Sequence, residues 1–120
     1  MTPIFLLLAL ASTQPDKHPT DVKTRTEDAA TTRLADSIRA ALPQANRLRP
    51  EGGDDNPDLA LAIVSAEADG KSTAYVVDLL KSQGVSAPQR LASFSGSCRD
   101  DKLASCAADL VAKADRKVRD

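Results

Sequence analysis

The feature that most constrains this chain is a pair of alternating apolar runs joined by Asp69-Gly70. Leu59, Leu61 and Ile63 alternate with Ala60, Ala62 and Val64; after the Asp-Gly pair, Tyr75, Val77 and Leu79 alternate with Ala74, Val76 and Asp78. A period of two puts successive side chains on opposite faces, and Asp-Gly is a hairpin turn signal, so the pattern predicts a β-hairpin with one dry face. Turn formers from Ser82 to Pro88 lead into a third strand, with Ala92, Phe94, Gly96 and Cys98 on one face and Ser93, Ser95 and Ser97 on the other. Asp78 and the serines mark the wet face. The bulky apolar sets of all three strands then share a single dry face, which needs a covering layer.

Two helical patterns supply that layer. Ala30, Leu34, Ile38, Ala41 and Leu42 recur every three or four residues and form one stripe, which Pro43 is expected to end. Thr24 and Glu27 have the spacing of a capping box, with Thr26 as an alternative cap. The closing helix carries Leu103, Cys106, Ala107, Leu110, Val111, Ala114 and Val118 as a broad stripe, with Asp100 or Asp101 as its expected cap. Its basic end, Arg116, Lys117 and Arg119, suits the helix dipole. The expected fold is therefore α+β: a two-layer sandwich of a three-stranded antiparallel meander with two helices on one face, in the order α-β-β-β-α.

Residues 1–11 are expected to be a signal peptide. Ile4 to Ala11 are eight consecutive apolar residues, and Ala9-Leu10-Ala11 gives the small-x-small pattern read by signal peptidases, followed at once by polar Ser12-Thr13. A helix of that length spans about 12 Å, against about 30 Å for a bilayer core, so no transmembrane anchor is expected after cleavage. The amino-terminal region has no Lys or Arg, an unusual feature for such a segment. Residues 12–23 carry Pro15 and Pro19 among polar residues, with Val22 the one sizeable apolar side chain. They are expected to form a flexible polar leader, leaving residues 24–120 as a single domain. Residues 49–58, rich in Pro, Gly, Asp and Asn, read as a loop within it.

Cys98 ends the third strand on its dry face, and Cys106 sits on the apolar stripe of the helix that must pack there. In an exported protein, two cysteines so placed predict a structural disulfide. The loop they close has nine residues, and the chain-entropy relation assigns it about 2.6 kcal/mol. The alternatives are two buried thiols or a redox pair; the separation is not C-x-x-C, and two cysteines with no nearby histidine do not complete a zinc site.

Catalytic signatures are sparse. His18, the one histidine, falls in the expected leader between Lys17 and Pro19 and reads as a solvated residue. Glu51, Asp54, Asp55 and Asp58 lack the spacing of a calcium loop, and Asp100-Asp101 is explained by helix capping. Gly52-Gly53 and Gly70-Lys71-Ser72 lack the rest of a phosphate loop. The chain has 16 basic and 17 acidic residues, a formal net charge of −1, and only Tyr75 and Phe94 as aromatics after Phe5. Nucleic-acid binding is therefore not expected, because neither an electrostatic footprint nor a stacking platform is available. The wet sheet face, with Ala60, Ala62, Val64, Ala74 and Val76, is less polar than an ordinary solvent face and reads either as a partner surface or as plain Ala-rich exposure.

Asp58 entering the first strand, the Asp69-Gly70 hairpin, Asp78 in the second strand, Phe94 and Gly96 in the third and an Ala-rich closing helix together resemble the small periplasmic α+β module found at the N-terminus of TolB and in penicillin-binding-protein activators. The resemblance covers residues 27–118. The chain departs from it in having no evident strand before the first helix and in carrying the cysteine pair. The resemblance implies protein contact in the cell envelope and brings no catalytic residues. The functional expectation is an exported, non-enzymatic domain, without cofactor or metal, that binds an envelope or secreted protein, an inhibitor or immunity-type antagonist being one subtype. The alternative is a thiol-active protein or enzyme using Cys98 and Cys106.

Overall fold

The computed structural model describes residues 17–51 and 56–118, so the expected signal peptide lies outside the described residues. Five strands form one mixed sheet: β1 (His18–Thr24), β2 (Leu48–Pro50), β3 (Leu59–Asp69), β4 (Ser72–Gln83) and β5 (Ser86–Arg99), ordered β2-β1-β3-β4-β5. Two helices, α1 (Ala29–Ala41) and α2 (Leu103–Lys117), pack side by side on one face. The two-layer α+β arrangement is the one expected from the residue pattern, and β3-β4-β5 is the antiparallel meander.

The sheet is larger than the meander by two strands. Residues 18–24, expected to be flexible leader, form β1, which runs parallel to both β2 and β3, so the folded unit begins before residue 24 and the order is β-α-β-β-β-β-α. The physical reason is long-range pairing. Thr20 and Val22 turn inward, at 1% and 6% exposure, and backbone pairing on both sides offsets the ordering cost that so few apolar side chains cannot. Thr20 is accommodated because its hydroxyl donates to the His18 carbonyl at 3.0 Å. β2, drawn from the Pro-rich loop, contributes the fully buried Leu48.

The expected hairpins form on two-residue turns. Gly70-Lys71 and Gly84-Val85 each open with a glycine at positive φ, +64° and +66°, the conformation a Gly-X hairpin turn needs and other residues resist. The second turn is tighter than the Ser82–Pro88 span expected, and Pro88 instead lies within β5, an edge strand where the missing N–H is tolerated. Alternation holds in β3 as far as Ile63; a bulge between Ile63 and Ser65 then changes its phase, so Ala66 rather than Ser65 faces the core opposite Tyr75.

The predicted helix stripes are the buried ones. Leu34, Ile38 and Leu42 from the first, and Leu110, Val111 and Ala114 from the second, meet Leu61, Ile63, Val77 and Leu79 of the sheet. Alanines 35, 107 and 114, all nearly inaccessible, let the helices approach closely. The caps differ from expectation. α1 starts after Asp28, whose side chain makes no capping bond, instead of after a Thr24–Glu27 box. Asp100 and Asp101 belong to a 3-10 turn (Asp100–Lys102) ahead of α2, and neither caps that helix. Asp100 takes a bond from the Thr73 hydroxyl at 3.0 Å, while Asp101 pairs with Arg99 at 3.3 Å.

Candidate functional site

The Cys98–Cys106 disulfide sits at the corner where β5 turns into α2. Cys98 lies next to the end of β5 at 2% exposure and Cys106 lies half-buried at the end of the first turn of the helix, with Cα atoms 5.7 Å apart. Two hydrogen bonds hold the same corner: Thr73 to Asp100, and the Asp100 N–H to the Lys71 carbonyl at 2.8 Å. The Cys98 sulfur, buried in the core, suits a cross-link better than an attacking thiolate, which needs access and a stabilised charge.

His18 is not a solvated leader residue. Strand β1 places its ring half-buried, with Nδ1 2.8 Å from the Asp58 carboxylate at the entrance to β3. Local patterning could not reveal this pair, because its members lie 40 residues apart. Asp115 was missed for the same reason. It lies on the α2 stripe at 8% exposure, and its two carboxylate oxygens accept the backbone N–H groups of Asn46 at 3.1 Å and Arg47 at 2.7 Å. Arg47 in turn donates from its guanidinium to the Val118 carbonyl. Asp115 therefore latches the end of α2 to the chain entering β2, and an acidic residue spaced with apolar stripe positions is the signal that could have exposed it.

Two titrations carry a visible cause. Burial pushes the Tyr75 hydroxyl up, with the Asp109 carboxylate adding to the effect. The Thr26 hydroxyl, aided by Thr31, holds the exposed Asp28 carboxylate below its usual range. Neither group sits in a catalytic arrangement. Among the described residues no three His, Cys, Asp or Glu side chains converge as metal ligands, and no helix is long and apolar enough to cross a membrane. Of the acidic loop residues weighed for calcium, Asp54 and Asp55 lie outside the described residues, as do Gly52 and Gly53. Gly70-Lys71-Ser72 is a hairpin turn.

The largest arrangement that could act is the sheet face opposite the helices. Strand register puts Asp21, Ala60, Leu80 and Arg90 in one row, and Lys23, Ala62, Asp78 and Ser93 in the next; Val76 and Ser95, then Ala74 and Ser97, extend the surface. Asp78 is its polar centre. Its carboxylate is 16% exposed, one oxygen has no hydrogen-bond partner, and the other lies 3.9 Å from Arg90. At one end the face dips into a hollow of about 530 Å³ between the Asn56-Pro57-Asp58 entrance and the start of the β4-β5 tip, with Asp21 and Lys23 on its floor. That tip is solvent-exposed: residues 82–90 are all exposed, and Val85 projects fully into solvent.

No protein-family model matches the chain, and no curated protein matches it. Among solved structures it is similar to a dodecameric PelC variant from Paraburkholderia phytofirmans, at 18% identity and a TM-score of 0.49 over 87% of this chain and 89% of that one. Function has to be read from the residues of this chain.

Proposed function

We propose that this chain is an exported, non-catalytic α+β domain that works by binding another envelope or secreted protein through its uncovered sheet face. The observation that carries the reading is the one-sided sheet: both helices cover one face, while Ala62, Val64, Val76 and Leu80 remain only partly covered on the other around a single under-bonded carboxylate, Asp78. Such a surface offers apolar area around a largely buried carboxylate, with Asp21, Lys23, Arg90 and a row of serines toward its margins, the composition of a contact patch more than that of a reaction centre. Export is supported by the disulfide, which persists in oxidising compartments and is rare in reducing ones.

The test is site-specific photo-crosslinking in cells, with the crosslinking amino acid at position 74 on the open face and, as a control, at position 32 on the solvent side of α1. A discrete adduct from position 74 that is missing from position 32 supports the reading. Equal adducts from both positions, or no adduct together with turnover of a small molecule by the purified chain, overturns it.

A further inference from the structure

We propose that the groove between the end of α2 and the free edge of β5 receives an extended acidic peptide segment, which adds to β5 as a further strand; this rests on the reading of the chain as a protein-binding domain and assigns the partner's chemistry. Two adjoining hollows form the groove. One, of about 390 Å³, is lined by Phe94, Lys113, Arg116 and Lys117; the other, of about 370 Å³, shares Lys117 and adds Lys81, Leu91 and Val118 beside the His18–Asp58 pair. They meet along β5 between Leu91 and Phe94.

Charge and backbone select the occupant. Lys81, Lys113, Arg116 and Lys117 are exposed, and none makes an ion pair or hydrogen bond among the described residues. The one carboxylate lining either hollow, Asp58, is already engaged by His18. Asp115 on the same helix turns inward to Asn46 and Arg47. A chain of net charge −1 thus gathers at one place four cations without a partner among the described residues, where they meet a partner's carboxylates. The edge supplies the second element. β5 is the longest strand and is outermost, and from Leu91 to Cys98 it carries no charge and no proline, whereas β2 at the opposite edge is three residues long and ends in Pro50. Brevity and proline guard one edge against strand addition; on the other, Pro88 and a register shift lie at or before Leu91, which leaves residues 92–98 regular and open, and strand addition to an exposed edge is an established mode of peptide capture. A second copy docking through β5 would bring the two basic clusters together, which disfavours self-pairing.

The probe is a fluorescein-labelled decapeptide of alternating Glu and Val, titrated into the oxidised chain by anisotropy, with an alternating Lys and Val decapeptide and a dT decanucleotide as comparisons. Expected are saturable binding of the acidic peptide alone, at least tenfold weaker binding to the Lys113→Glu/Arg116→Glu variant with unchanged melting, and slowed hydrogen exchange of β5 amides 91–98 on binding. The inference is overturned by equal affinity of wild type and variant, by equal binding of the dT decanucleotide without protection of β5, or by self-association that protects β5 without peptide. If the peptide fails while position 74 still crosslinks a protein in cells, the strand-addition site falls and the proposed function stands.

Discussion

Reducing the Cys98–Cys106 bridge isolates the contribution of the cross-link, since both sulfurs stay in place while the covalent constraint goes. The bridge spans a sequence separation of 8, a nine-residue ring, for which the loss of loop-closure entropy in the unfolded chain corresponds to about 2.6 kcal/mol. The folded corner has other ties: Thr73 and the Lys71 carbonyl both hold Asp100, and Arg99 pairs with Asp101. Reduction should therefore leave the fold intact and act by freeing the denatured ensemble. In urea, with a slope of about 1–3 kcal/mol/M for a domain of this size, the midpoint should fall by about 0.9–2.6 M. The melting temperature should fall by about 10–20 °C, at about 4–8 °C per kcal/mol. The assay is paired urea and thermal melts of oxidised and reduced protein, with redox state fixed by mass after alkylation. Coincident melts for an oxidised sample with no alkylatable thiol and a reduced sample with two would refute the entropic reasoning.

Asp115→Ala removes the acceptor for two backbone N–H groups at the α2–β2 junction and should cost about 2–4 kcal/mol in urea unfolding, with Asp115→Asn, which keeps one acceptor oxygen, losing about half as much. A Cβ on Gly96 would lie 2.9 Å from the Tyr75 hydroxyl oxygen and 3.2 Å from the adjacent ring carbon; Gly96→Ala should destabilise by about 1 kcal/mol, and a double-mutant cycle with Tyr75→Phe should recover part of that loss. Because the Thr26 hydroxyl lowers the Asp28 pKa, the associated stability is present above about pH 4 and disappears as pH falls through the lower folded-state value; Thr26→Ala should move the Asp28 titration upward in a carboxyl NMR series and shift that loss to higher pH.

The meander was legible because its signals are local. Leu59, Leu61 and Ile63, and likewise Tyr75, Val77 and Leu79, repeat within one strand, and the stripes of α1 and α2 repeat within one helix, so each period names its own buried face. The cysteine pair was legible because both faces were already assigned. Val64 shows where this breaks down: the bulge beside it leaves no mark on a two-residue period, so the inward turn of Ala66 could not be read.

The order of residues by itself determined the two-layer class, the dry faces, the hairpin at Asp69-Gly70 and the corner where the sulfurs meet, since these follow from neighbours two to eight positions apart. Tertiary structure alone decided that His18–Thr24 is a strand between β2 and β3, that His18 faces Asp58 across 40 residues, that Asp115 grips Asn46 across 69, and that four cations gather beside the outer edge of β5. Parallel pairing and distant polar latches draw their free energy from partners far along the chain, and a backbone bond formed at that distance leaves no periodic imprint on the segment that makes it.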